Sequence, residues 1–429
     1  MAGWETIELQ VLTPLFAGSV DKRAEVKPSM FRGMARWWLR ALVGGVVGND
    51  LGALARVEEA VFGSTEATSP VRFRVSKQPT VCEPETGDFA SQLAEYTIDV
   101  DGADENGPFA GIAYLLGPGV CEWRDKRWQL TRQYVPAGET IVLRVHQGLA
   151  SVEAWVLARM SLWLALNLGG FGARKNRGFG ALKVISSSDV LLGESNIFSA
   201  VSKFSSRAPE LVRRILLAPG DGGGVVPSYP MLGEVISRNE SVPRGDFSAA
   251  ELRLMHATLH LSKDDRERFA TSWEGALSAV GVDFRLFRAN AGKQESENWY
   301  RPQVKTREWL EVVNGEKSHF PLAVLGLPIV FKKRGPQVEP RIGADKFRWP
   351  SQLRFRLVPD DATWRLLTVA FRTTFLPPLG ELAPALPHPR ASRQLHVKVD
   401  DIDKIAENWA ARVDGTSSDP RPAPQRPYT

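Results

Sequence analysis

The chain has 429 residues, 43% of them hydrophobic, and carries a formal charge of +5 with an isoelectric point near 9.2. That length exceeds what one hydrophobic core fills, so two domains are expected, and the basic excess favours an acidic partner while being too small for a general DNA-coating protein. The only cysteines, Cys82 and Cys121, lack C-x-x-C spacing, which excludes a disulfide framework or structural zinc cage and fits a reducing cytoplasm. The start, MAGWETIELQ, has no basic region followed by an apolar stretch, and no run reaches the roughly 18 apolar residues of a membrane span. A soluble cytoplasmic protein with no membrane contact is expected.

In chain order, Ile7, Leu9 and Val11 alternate with Glu8 and Gln10, which predicts a strand. After Pro28, Met30, Met34, Trp37, Trp38, Ala41 and Leu42 recur at helical intervals, with Gly44 and Gly45 as the stop. VRFRV at Val71 to Val75 is a second strand, with its arginines on the face opposite Phe73. The Asp-, Glu-, Gly- and Pro-rich stretch from Pro79 to Gly111 reads as an insertion. Strands are expected at Ile112 to Leu116 and Ile141 to His146, a helix at Ser151 to Leu168, and a strand at Ala181 to Ile185 after the loop GGFGARKNRGFG. The order strand, helix, strands, helix, strand predicts a split βαβ, ferredoxin-like domain over residues 1–188.

A second domain is expected over 189–400. It contains helices at Ala249 to His260 and Asp264 to Val280, a buried strand in LAVLGLPIVF, a strand LRFRL at Leu353 to Leu357, and a helix at Asp361 to Phe371. Residues 401–429 are expected to form a helix and a disordered Pro-rich tail.

Two constellations point to an anion. Arg32, Arg36 and Arg40 recur every fourth residue and, at about 100° per residue, form one stripe just after Lys27. No acid lies between Glu25 and Asp50, so either an external anion or a distant acid such as Glu58 or Glu59 must balance them. In the loop, Gly170, Gly172, Gly178 and Gly180 flank Arg174, Lys175, Asn176 and Arg177, so a backbone free to adopt positive φ holds three cations in four residues. The alternative for the loop is a tight helix-to-strand connection with solvated cations. It is no Walker loop, because Gly-Lys-Ser/Thr is absent. His256 and His260 have metal-pair spacing, but HATLH lacks the glutamate of H-E-x-x-H and a third ligand, and Asp99, Asp101, Asp104 and Glu105 miss the EF-hand order. No metal or cofactor is expected.

TPLFAGSVDKRAEVKPSMFRGMARWWLRAL, RVEEAVFGS and GGFGARKNRGFGAL resemble the RAMP superfamily of CRISPR-associated proteins, and within it the first-subunit family of the type III-B (Cmr) effector complex. The similarity continues through GLPIVF and LRFRL. It implies an α+β fold of two tandem ferredoxin-like (RRM-like) domains with insertions. It also implies a non-nucleolytic RNA-binding subunit near the crRNA 3′ end, with crRNA, target RNA and other RAMP subunits as partners. Lys332, Lys333 and Arg334 are the second half's RNA-contact candidates, with Arg341, Lys346 and Arg348 nearby, although such a charge run is as often an ordinary solvated surface. Two other readings remain. One is a metal-independent endoribonuclease, which needs a histidine near the RNA and has only His146 before residue 256; the other is a protein-only scaffold.

Overall fold

A computed structural model of the chain describes residues 3–18, 21–85, 89, 93, 97–98, 109–125, 127–217, 227–233, 250–263, 271–289, 311–312, 314–327, 329–330, 337–361, 363–378 and 383–416. The expected alternation produces β1 (Glu5–Val11), whose Ile7, Leu9 and Val11 are buried. Helix α1 (Pro28–Val47) starts with proline at its first position, where no amide donor is needed. It does not stop at Gly44 and Gly45. A Cβ on Gly45 would lie 1.5 Å from the Leu232 carbonyl oxygen, so this glycine admits a crossing segment and is not a terminator. Helix α2 (Leu51–Phe62) follows, capped by the Asp50 side chain accepting from the Ala53 N–H.

Strands β2 (Arg72–Lys77) and β3 (Thr140–His146), helix α4 (Val152–Asn167) and strand β4 (Leu182–Ser187) complete the first unit. Between β2 and β3, the segment expected as a strand at Ile112 to Leu116 is instead a short helix, α3 (Gly111–Leu116), lying against a later helix that meets it where Gly111 and Gly281 approach. The sheet is antiparallel in the order β2-β3-β1-β4, the arrangement a split βαβ unit generates. Its inner face packs on α1 and α4. Ser151 caps α4, and the helix is buried almost all round because α1, α2 and α5 (Ile197–Leu216) surround it.

The second sheet departs from expectation in two places. The region expected as a helix at Ala249 to His260 is a hairpin, β5 (Ala250–Leu254) and β6 (Ala257–Leu261), and the region expected as a helix at Asp361 to Phe371 is the strand β8 (Thr363–Phe371). In β8 the apolar residues from Leu366 to Phe371 are nearly contiguous because both faces are buried, whereas Leu252, Leu254, Ala257, Leu259 and Leu261 of the hairpin alternate with polar residues, the period of strands and not of a helix. With β7 (Leu353–Asp360), the sheet runs β7-β8-β6-β5, all antiparallel. Helix α6 (Trp273–Ala289) joins β6 to β7 in sequence and α7 (Asp401–Asp414) follows β8. LAVLGLPIVF forms a 3-10 turn at Pro321–Leu325 and a two-residue strand, Ile329–Val330, instead of one buried strand.

One face of this sheet, including Leu353, Phe355, Leu357 and Leu366, packs on α6 and α7; the other, including Leu259, Leu367, Val369 and Phe371, joins the core of the first unit. The two halves therefore share a continuous apolar seam. Among the described residues no helix is long and apolar enough to cross a membrane. The tail after residue 416 lies outside the described residues.

Candidate nucleic-acid interface

The arginine stripe divides. Arg40 makes a two-pronged contact to Glu58 on α2 at 2.5 and 2.8 Å, and Arg36 lies 3.3 Å from the same carboxylate while donating to the carbonyls of Phe62 and Gly63 at 2.7 and 2.9 Å. Two of the three guanidiniums thus clamp α1 to the end of α2, with Glu58 as the distant acid. Arg32, exposed like Arg40, is the one member of the stripe without an ion pair among the described residues. Lys27, at the start of α1, pairs with Glu25 at 2.9 Å on the surface.

The glycine loop lies in the seam. Positive φ is present at Gly172, Gly178 and Gly180, as the sequence suggests, and also at Arg174. What comes close to the glycines is protein: a Cβ on Gly180 would sit 1.9 Å from the Phe171 carbonyl oxygen, and one on Gly178 2.5 Å from Leu277. A Cβ on Gly170 would meet the carbonyls of Lys175 and Phe179 at 2.9 Å. The loop is folded onto itself and docked on the second half, where the Asn176 carbonyl accepts from the Phe355 N–H at 3.4 Å.

Its cations are half-buried. Arg174 donates to the Pro118 carbonyl at 2.6 Å, Lys175 Nζ reaches Met34 Sδ at 2.8 Å, and Arg177 stacks 4.3 Å over the Phe284 ring. Burial, and then Arg348, lowers the Arg174 pKa; burial, and then Arg354, lowers that of Lys175. Burial, and then Arg288, pushes Arg177 down to about 9, which still leaves a cation at neutral pH. Among the described residues none of Arg174, Lys175, Arg177, Arg348 and Arg354 has a carboxylate partner. Arg354 instead lies 3.8 Å over Trp37, its pKa pushed by burial to about 9. Four of these cations are partly desolvated, the exposed Arg348 stands beside them, and all are gathered around one loop.

Arg354 and Arg356 come from LRFRL and were not expected here, since the pattern alone marks only a strand with one basic face. Arg356 is buried and donates to the carbonyls of Leu166, Gly169 and Leu182, which ties β7 to the end of α4 and the start of β4. Of the other second-half candidates, Lys332, Lys333 and Arg334 lie outside the described residues, as do Asp99, Asp101, Asp104 and Glu105. Arg341 and Lys346 pair with Glu339 at 3.0 and 2.5 Å, while Arg348 neighbours Arg174. His256 sits in the turn of the β5-β6 hairpin and His260 on β6 contacts Asp414 at 2.9 Å, so the helical spacing considered for a metal pair is not realised.

The RAMP superfamily signature matches residues 8–183, the span of the first unit and its glycine loop. A Pyrococcus furiosus protein, CRISPR system Cmr subunit Cmr1-2, is 34% identical over 194 residues, which is 43% of this chain and 97% of that protein. Subunit Cmr1-1 of the same organism is 31% identical over 242 residues, 53% of this chain and 63% of that protein. The crystal structure of Cmr1 from Pyrococcus furiosus in its apo form matches the fold with a TM-score of 0.50 at 20% identity, over 88% of this chain and 90% of that one. The chain belongs to the RAMP superfamily. Within it, the chain is similar to the Cmr1 subunits of the Pyrococcus furiosus CRISPR system.

Proposed function

We propose that the chain is a non-catalytic, RNA-binding subunit of a type III-B CRISPR effector complex in antiviral defence, working in the cytoplasm beside other RAMP subunits, with crRNA and target RNA as ligands near the crRNA 3′ end. The carrying observation is the cluster of the half-buried cations Arg174, Lys175, Arg177 and Arg354 with the exposed Arg348 beside them, all lacking carboxylate partners among the described residues. Holding like charges together out of water costs stability, and a phosphate chain laid over the loop offsets that cost. The glycines fix the loop's shape so that the cations are in place before RNA arrives.

The fold reading that accompanies this is two ferredoxin-like units in tandem, 1–188 and 189–400. In the second, the order β7-β8-β6-β5 is that of a split βαβ sheet whose outer strand comes from before the unit instead of after its last helix. Among the described residues no strand of the sheet follows α7, so this permuted order has no helix-to-strand turn there to carry a glycine loop.

Lys175→Glu combined with Arg174→Glu should weaken binding of single-stranded RNA at least tenfold irrespective of sequence. With about four phosphates engaged, log K should fall against log salt with a slope of roughly −3 in the parent and less steeply in the variant. Unchanged affinity in both the free chain and the assembled complex would sink the assignment. Incubation of labelled repeat RNA with the chain in EDTA should leave the RNA intact. Site-specific cleavage lost in His146→Ala would replace the binding role with an endoribonuclease.

A further inference from the structure

The outer face of the first sheet carries an arrangement that the glycine loop does not use. Even-numbered residues of β1 and β3 point away from the core, and the register sets Arg74 opposite Arg144 and Arg72 opposite His146. Like charges directly opposite on neighbouring strands are unfavourable. No acid separates them: Arg144 neighbours Thr6 on its other side, while Glu8 stands farther along, beside Val142 and Ser186, and accepts from the Ser186 hydroxyl at 3.1 Å. Arg144 Nε is shielded from solvent and has no hydrogen-bond partner among the described residues. Trp4, 36% exposed, lies beside this row, with its ring 5.2 Å from His146 and 5.5 Å from the Arg144 guanidinium.

The same corner opens into a groove of about 440 Å³, lined by Trp4, Ser29, Arg32, Ser69, Arg72 and Arg74 among others. Arg32, the member of the stripe that Glu58 does not hold, is therefore placed with the arginines of β2. It joins them beside the first turn of α1, which carries no acidic residue. At about 100° per residue, Arg32 and the loop-facing Met34 lie roughly 160° apart around α1, so the groove and the glycine loop are on different sides of that helix.

We propose that this corner is a second binding site, one for a single-stranded polynucleotide, with Trp4 as the stacking platform for a base and Arg32, Arg72 and Arg74 on the phosphates. Charge selects an anion, and an accessible indole flanked by unpaired guanidiniums selects one with flat rings at intervals along it. A sheet face with aromatic and basic side chains is a general solution to that problem.

The test uses the full-length chain and a fluorescein-labelled 12-nucleotide oligouridine in which single positions carry 4-thiouridine. Irradiation should cross-link the peptide containing Trp4. Arg72→Glu with Arg74→Glu, both exposed positions, should weaken binding about tenfold and reduce the salt slope by roughly 1.4, about 0.7 per phosphate lost. Trp4→Ala should cost at least about fivefold while Trp4→Phe retains most affinity. In the Arg174→Glu, Lys175→Glu background the Trp4 cross-link should persist. Cross-links confined to residues 169–180, with unchanged affinity in the Arg72→Glu, Arg74→Glu variant, overturn this site and leave the loop reading intact. The reverse pattern supports this site and removes the loop. Displacement by polyglutamate but not by oligouridine assigns the surface to an acidic protein and overturns the proposal.

Discussion

Glu5 and Asp189 share a single guanidinium, Arg159, at 3.8 and 2.7 Å. Burial, and then Asp189, pushes Glu5 up to about 7. Burial raises Asp189 too, but its bonds to Glu5 and Arg159 outweigh that and hold it below its ordinary value. One proton is therefore retained at the pair in the folded state, in keeping with a Glu5 Oε2 that has no other partner. A carboxyl raised on folding contributes stability that is complete below its unfolded pKa and is lost as pH rises through about 7. Glu5→Gln keeps a donor without the charge. It should be more stable than the parent at about pH 8, by on the order of 1 kcal/mol, and should flatten the dependence of melting temperature on pH between about 5 and 8. Equal slopes in parent and variant would show that no proton is shared. The same scale explains the stripe: Glu58, one of the two distant acids that the sequence offered, contacts two of its arginines from another helix.

At the scale of elements, two near-identical pentapeptides meet opposite fates. VRFRV on β2 turns Arg72 and Arg74 to solvent, whereas LRFRL on β7 turns Arg354 and Arg356 into the seam. Period-2 alternation specifies which residues share a face, and it cannot specify what covers that face. This is why β1, α1, β2, β3 and β4 were legible from sequence, each having one polar side, while α4, buried almost all round, was legible from its length and its Ser151 cap. β8 was not, because a strand covered on both faces loses its alternation, while the β5-β6 hairpin keeps its alternation in Leu252, Leu254, Ala257, Leu259 and Leu261 and is nevertheless expected as a helix. The loop's cations and glycines could be read from the chain, but its burial could not, since the covering elements arrive more than 90 residues later in α6 and 170 later in β7. Arg356 supplies a measurable consequence. Arg356→Lys retains charge but cannot reach three carbonyls on separate segments, so it should lower unfolding stability by roughly 2 kcal/mol, read from the denaturation midpoint. An unchanged midpoint would show that the contacts to Leu166, Gly169 and Leu182 contribute nothing.

For the whole molecule, paired domains within one chain ordinarily move against each other unless their interface is large and apolar. Here one continuous core includes Trp38 and Leu164 from the first half with Leu259, Val369 and Phe371 from the second. Calorimetry should therefore give a single unfolding transition over the described body, with van't Hoff and calorimetric enthalpies in agreement; two resolved transitions would contradict the shared core. A Pyrococcus relative that matches this chain over 97% of its own length does so with only 43% of this chain, so the superfamily pattern occupies a smaller unit than the pair.

The buried arginines of β7 also bear on the order in which the protein is made. During synthesis the first half emerges early and offers the backbone carbonyls of Leu166, Gly169 and Leu182 before Arg356 leaves the ribosome. The second half made without the first would have to shelter Arg356 without the three carbonyls that receive it, so the first half is expected to serve as a template on which its neighbour is completed.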